Sequence, residues 1–447
     1  MGFYITEGQI PLPKPKIRSL QEIIPHRGNR VSSIIEDLIA RKIFNSRGEE
    51  TIEVDVMTTS GFGRSSAPAG KSRGKAEVVY YPQGGIDAAL KKIDELIAPE
   101  LAGLNADFQE EVDSTLHEID GTDNFKSIGG NTSFAISLAN AEAAANSHGQ
   151  LLFQFLGGTA ANALPYPLGN CISGGQHAKG KAPDFQEFLA LPYGAETFLE
   201  AAIANTQIHK KIGDALKKKS SSFGGGKSDE GAWIANITTD DAFETMARTC
   251  EEVANEMDFE CGFGIDAASS SLWKEKDEKY AYDREGCKRD TAEQLEFLLD
   301  LIEKYHLLYV EDPFHEEDYE SFAELTRKAK NCLICGDDLF TTNNERLSQG
   351  IKLNAGNSII IKVNQIGTLT DAIDTIENAQ RNGYTTVVSH RSGDTCDWHI
   401  SHLAVAYRCP IIKTGIVEGS RVAKINELAR IEHFLGNRAR MAELKVT

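Results

Sequence analysis

Apolar and polar positions between residues 261 and 414 follow one recurring arrangement. Six times a short apolar run ends on a charged residue or cluster: Cys261-Gly-Phe-Gly-Ile-Asp266, Leu307-Leu-Tyr-Val-Glu311, Cys332-Leu-Ile-Cys-Gly-Asp337, Ser358-Ile-Ile-Ile-Lys362, Thr385-Thr-Val-Val-Ser-His390 and Pro410-Ile-Ile-Lys413. Runs this short and this apolar predict strands buried on both faces. Their spacing leaves room for about one helix between successive strands. In a β/α barrel the C-terminal strand ends converge on one mouth, where the active site forms. The pattern therefore aims three carboxylates (Asp266, Glu311, Asp337), two lysines (Lys362, Lys413) and the His390-Arg391 pair at one pocket.

Upstream the pattern changes. Residues 1–32 contain Pro11, Pro13, Pro15 and Pro25, show no long period, and read as an N-terminal extension. Ser33 to Phe44 is short and apolar, and Thr51-Ile-Glu-Val-Asp-Val-Met57 alternates as a half-buried strand should. Gly61 to Gly74 reads as a loop rich in small residues. About four helical stretches follow between Ile86 and Phe155, the Ala-rich Phe134–Ala145 being the clearest. The chain is thus expected to be an α/β protein, with an N-terminal α+β capping domain over 33–160 and a β/α barrel catalytic domain over 161–447.

Composition narrows the function. A net charge of −19 argues against a nucleic-acid partner and requires a locally positive pocket for any anionic substrate. No apolar stretch is long enough to span a bilayer, and Met1 to Thr6 lacks the pattern of a secretory signal, so the expected location is cytoplasmic, with no membrane partner. The eight cysteines read as free thiols of a reducing compartment. His399 and His402, three apart, read as a helix-surface pair rather than a metal site.

The strand-end groups specify a chemistry. Three neighbouring carboxylates raise one another's pKa unless a counter-charge is present, and a divalent cation supplies it. All-oxygen ligands favour Mg²⁺ or Mn²⁺ over zinc. Lys362, buried and facing that cation, is expected to have a lowered pKa and to act as a base. Metal ions on the substrate carboxylate make proton abstraction beside it feasible. Glu230, after a Gly-rich loop, suits a second group that protonates a leaving hydroxide, and Glu187 offers another carboxylate beyond His177. His390-Arg391-Ser392 suits a phosphate, with Lys413 as a further positive group.

These residues closely resemble the enolase (phosphopyruvate hydratase) family. The likeness is carried by Ile119-Asp-Gly-Thr-Asp-Asn124, Ser173-Gly-Gly-Gln-His-Ala178, Glu311-Asp-Pro-Phe314, Gly336-Asp-Asp-Leu339, Lys362-Val-Asn-Gln-Ile-Gly367, Ser389-His-Arg-Ser-Gly-Asp-Thr395 and Ile412-Lys-Thr-Gly415. The resemblance implies a β/α barrel of enolase type and a homodimer or larger homo-oligomer. It implies a glycolytic and gluconeogenic lyase that dehydrates 2-phosphoglycerate to phosphoenolpyruvate. Asp266, Glu311 and Asp337 would hold Mg²⁺, and Lys362 would remove the C2 proton. Glu230, with Glu187 nearby, would protonate the C3 hydroxide. Arg391 and Ser392 would bind phosphate, and His177, His390 and Lys413 would complete the pocket. A Lys or His base with one or two Mg²⁺ ions is the family's known pairing.

Four departures lie near the pocket. The loop that in the family reads Ser-Gly-Ala-Ser-Thr-Gly reads Ala69-Gly-Lys-Ser-Arg-Gly74, so only the Ala69 carbonyl or Ser72 would ligate a second Mg²⁺, and Lys71 and Arg73 add charge over the phosphate. Trp233 replaces Phe, one residue is inserted between His177 and Glu187, and Thr414 to Arg421 is altered and one residue shorter. These changes keep two other readings in play: a paralogue dehydrating a related phosphonate or 2-phospho acid, and a non-catalytic binding protein of enolase fold.

Overall fold

A computed structural model describes residues 32–71, 73–178, 182–220 and 222–445. The chain opens with three antiparallel strands in the order β1 (Ile35–Phe44), β2 (Glu50–Thr58), β3 (Phe62–Ser66). The Asn45 side chain accepts from the Arg47 and Glu49 amides and closes the first turn. Strand β3 falls inside the stretch expected to be loop. Its glycine misled the reading: a Cβ on Gly63 would lie 2.0 Å from the Ala139 carbonyl oxygen, so glycine is there to let the strand cross a helix closely. That helix, Gly130–Ser147, is buried almost all round, which its alanines and serines permit. Helices Gly85–Lys92, Gln109–Asp120 and Leu152–Gly157 accompany it.

Eight strands then close a barrel: β4 (Tyr166–Ser173), β5 (Glu187–Leu191), β6 (Gly262–Asp266), β7 (Tyr309–Glu311), β8 (Leu333–Gly336), β9 (Ser358–Ile361), β10 (Thr385–Ser389) and β11 (Ile411–Lys413). All six of the apolar runs form strands here. The strand–helix alternation holds only from β6 onward, and there a small three-stranded sheet (Trp273–Lys274, Lys279–Tyr282, Cys287–Arg289) precedes the long helix Thr291–Tyr305. β5 pairs antiparallel with both β4 and β6, and two helices, Phe198–Lys219 and Thr239–Met257, follow it in succession.

Alternate strand residues fill the barrel interior, among them Leu168, Leu189, Tyr309, Leu333, Cys335, Ile360, Val387 and Ile411. Cys332 and Cys335 have Cys-x-x-Cys spacing, yet Cys335 belongs to this inner cluster and Cys332 to the outer core, so no dithiol pair forms. The cysteines are free; Cys396 is exposed, while Cys171, Cys250, Cys332, Cys335 and Cys409 are buried. His399 and His402 are also buried, not on a helix surface. His399 reaches Glu142 at 3.3 Å and His402 reaches Glu427 at 3.0 Å, carboxylates that make burial of an imidazole tolerable.

Backbone pairing brings the N-terminal loop over the barrel mouth. Ala69 and Gly393 exchange two N–H···O bonds, at 2.7 and 2.8 Å. The Ala69 carbonyl is thus engaged with the Gly393 amide.

Candidate active site

Strand register sets the site. Asp266 is the cross-strand partner of Glu311 on one side and of Glu187 on the other, and Lys413 is the partner of Ser389. β5 runs opposite to its neighbours, so its N-terminal residue, Glu187, arrives at the mouth where the other strands end. Glu230 comes from the loop after helix Phe198–Lys219. Its Oε2 accepts from Asn170 at 3.1 Å and lies 3.7 Å from His390 Nε2.

The mouth encloses a small cavity walled by His177, Glu187, Glu230, Asp266, Asp337, Lys362, His390, Arg391, Ser392 and Lys413. Eleven of the twelve site residues expected from sequence gather in or beneath it. Glu311 lies fully buried below, held by Lys413. The twelfth, Ser72, lies outside the described residues, as do residues 179–181 in the segment carrying the insertion. Lys71 lines the cavity, with Nζ 3.8 Å from Asp229 and its amide donating to Ser392 Oγ at 2.9 Å. Arg73 does not share that place. Its guanidinium lies 4.6 Å from the Tyr80 ring centre, where a flat cation stacks well. Trp233 is likewise turned away from the acid. It stacks on His209 and donates Nε1–H to the His209 carbonyl at 2.8 Å, in space left by Gly213.

The carboxylates are tied to the lysines. Lys413 Nζ reaches Glu311 at 2.8 and 2.9 Å, Glu187 at 3.0 Å and Asp266 at 3.5 Å. Lys362 pairs with Asp337, which also accepts from Gln365 at 2.9 Å. Gln186 donates to Asp266 at 3.1 Å and Tyr309 to Glu311 at 2.6 Å. Among the described residues, two groups bring three potential ligand atoms within 4.8 Å of one another: His177, Glu187, Glu230 and Asp312, Asp337, Asp338. Asp266, Glu311 and Asp337 do not draw together as closely, because each faces a lysine. Their chemistry still suits a hard divalent cation. Burial pushes the Glu311 carboxyl up to about 8, against Lys413 and with the charges of Asp266 and Asp337 adding to the rise. That excess of buried negative charge is what a cation would relieve.

Burial would pull the Lys362 ammonium down, but the charge of Asp337 outweighs it and the net shift is upward. The expected low-pKa base is therefore not the state seen here, where its acid partner holds the proton on it. Glu187 and Glu230 are pushed apart. Burial and the neighbouring Glu230 raise Glu187. Burial would raise Glu230 too, yet His177 holds it well below the usual range. His177 is itself raised: burial opposes its charge, and Glu230 and Glu187 overcome that. Two adjacent carboxyls split in this way can hold and deliver one proton.

Arg391 is fully buried and grips Glu77 at 3.0 and 3.1 Å, with Asn364 at 3.2 Å. Sequence reasoning missed Glu77, which sits in an irregular loop with no periodic signal. It also missed Asn170, Arg421, Asp394 and Lys424. Gln365, Asp394 and Arg421 lie inside segments already singled out, and that proximity was the signal available for them.

A barrel mouth with paired carboxylates, two buried lysines and an oriented arginine defines an enzyme that moves protons on a small anionic substrate. Residues 161–447 match the family model described as the enolase C-terminal TIM barrel domain, and residues 35–156 the enolase N-terminal domain. The chain is 52% identical over 415 residues to an enolase of Methanosphaera stadtmanae, covering 93% of this chain and 100% of the relative. It is 51% identical to an enolase of Methanothermobacter thermautotrophicus over the same shares, and 46% identical to one of Pyrobaculum aerophilum over 92% and 99%. The chain belongs to the enolase family.

Proposed function

We propose that this enolase-family lyase dehydrates 2-phosphoglycerate to phosphoenolpyruvate with Mg²⁺, at the site just described. The observation that carries the reading is the placement of Lys362 and the Glu187–Glu230 pair around one cavity with Arg391 and Ser392. Asp266, Glu311 and Asp337 would hold Mg²⁺, which would supply positive charge to the substrate carboxylate and to the negative charge that builds beside it. Lys362 Nζ takes the C2 proton. The charge of Asp337 keeps Lys362 protonated in the substrate-free protein, so any counter-charge taken by Asp337 frees Lys362 to act as base. The C3 hydroxyl leaves as water with a proton from the Glu187–Glu230 pair, beside His177. The C2–H and C3–O bonds break, the C2=C3 bond forms, and phosphate stays bound. Arg391, oriented by Glu77 and Asn364, and Ser392 hold the phosphate, with Lys71 adding charge at the rim. Lys413 neutralises the carboxylates beneath.

Phosphoenolpyruvate formation from 2-phosphoglycerate tests this directly. Turnover with Mg²⁺, lost on chelation and in Lys362→Ala, is expected. Well-folded protein that binds Mg²⁺ and forms no product would overturn it in favour of a related acid as substrate. The same reading carries a homodimer or larger homo-oligomer in the cytoplasm, with domains at 33–160 and 161–447. A monomer in light scattering at assay concentration would remove the first of these. Among the described residues no helix is long and apolar enough to cross a membrane.

A further inference from the structure

His390 carries two ring nitrogens in very different settings. Nδ1 lies 2.8 Å from Nη1 of Arg421. A guanidinium only donates, so Nδ1 must present its lone pair. The ring hydrogen is then on Nε2, which is buried and finds no hydrogen-bond partner. Nε2 faces the cavity and comes no closer than 3.7 Å to Glu230. A buried N–H without an acceptor costs free energy that a ligand oxygen at that place would recover.

Arg421 is itself fully buried, on the first turn of helix Gly419–Leu435. Besides His390 it donates to the carbonyls of Arg391 and Ser392, each at 2.6 Å, and of Asp229 at 2.9 Å. One side chain therefore joins the loop that carries Glu230 to the loop that carries His390, Arg391 and Ser392. The Asp394 carboxylate, 3.7 Å away and tied to Lys424, balances its charge.

We infer that Arg421 is a positioning residue that locks His390 as a neutral Nε2–H donor aimed at a substrate oxygen, and so bars His390 from acting as a proton-accepting base. The functional part rests on the cavity being the substrate site. The tautomer part does not, and the experiment separates them.

Long-range proton–nitrogen NMR of ¹⁵N-histidine-labelled full-length protein reads the tautomer, with His390→Asn assigning the signal. The expected result is an unprotonated Nδ1 and a protonated Nε2. A protonated Nδ1 in the unaltered protein would overturn the inference whether or not 2-phosphoglycerate is the substrate. Arg421→Met removes every donor, and His390 should then populate both tautomers. With 2-phosphoglycerate, kcat should fall about 100-fold with KM within about threefold, and Arg421→Lys should recover about tenfold of kcat. An unchanged single tautomer in Arg421→Met would show that the arginine only braces the loops. A tautomer that behaves as expected in protein that does not turn over 2-phosphoglycerate would leave the lock standing and remove the substrate.

Discussion

Glu77→Gln isolates one charge from one of the most buried ion pairs of the site. Both side chains of the Arg391–Glu77 pair are 3% exposed, and the two contacts are 3.0 and 3.1 Å. Unit charges about 4 Å apart at an effective permittivity near 20 attract by about 4 kcal/mol. Breaking a buried pair by removing one partner typically costs about 3–5 kcal/mol. Arginine has no escape by deprotonation, so its charge stays in place, while the glutamine oxygen keeps one hydrogen bond. The expected loss is about 3 kcal/mol, a large share of the roughly 5–15 kcal/mol that keeps a domain folded. Urea unfolding followed by tryptophan fluorescence measures it. An anion in the cavity should restore what the carboxylate supplied. Inorganic phosphate should therefore bind Glu77→Gln about tenfold more tightly, stabilising it by about 1.4 kcal/mol more than the unaltered protein. A loss below about 1 kcal/mol, or equal stabilisation of both proteins by phosphate, would refute the account of Arg391 as a phosphate ligand held by a competing carboxylate.

Glu311 gives a pH signature. Its folded-state pKa of about 8 lies above the ordinary 4.5, so its favourable contribution is present below about 4.5 and lost as pH rises through 8. In chelator the melting temperature should fall across that window, and Glu311→Gln or saturating Mg²⁺ should flatten the fall; an identical profile in all three would contradict this. Lys71→Ala should raise KM for 2-phosphoglycerate by about three- to tenfold at low ionic strength, with less effect in high salt and almost none on the melting temperature. A KM unchanged at low salt would remove Lys71 from substrate binding.

Most of the barrel was legible because its buried strands are both apolar and terminated by charge, two signals that coincide in the same few residues. The parts that were not legible share a physical cause. β3 carries a glycine for a close helix crossing, and a glycine reads as a break unless the helix is known to lie there. Glu187 begins a strand rather than ending one, so it was reached only from its place beyond His177 and its strand was not foreseen. Its place depends on β5 running against its neighbours, a property of pairing and not of composition. Glu77 and Arg421 follow mouth residues within a few positions, but their roles are set by ion pairs and carbonyl contacts that only the closed chain creates.

The reversed strand also explains how the proposed acid and the proposed base come to differ. Lys362, Asp337 and Glu311 come from parallel strands on one arc of the barrel, where lysine and carboxylate meet as direct pairs and the base is kept charged. Glu187 enters from the antiparallel strand beside a loop residue, Glu230, so two carboxyls meet with a histidine, and Lys413 reaches only one of them within 4 Å. Burial opposes the charged form of every one of these groups. What separates them is the partner each strand direction delivers: the charge of Asp337 raises Lys362 at one wall, and burial with the neighbouring Glu230 raises Glu187 at the other. A dehydration needs one wall to accept a proton and the other to give one. In the substrate-free site the charge of Asp337 keeps Lys362 from accepting a proton, and a counter-charge on Asp337 is what would release it. Metal removal should therefore abolish turnover while leaving the Glu187 carboxyl titrating above the usual carboxylate range, which the ¹³C shift of its labelled carboxyl reports against pH; a Glu187 that titrates at or below that range in the metal-free protein would refute that division.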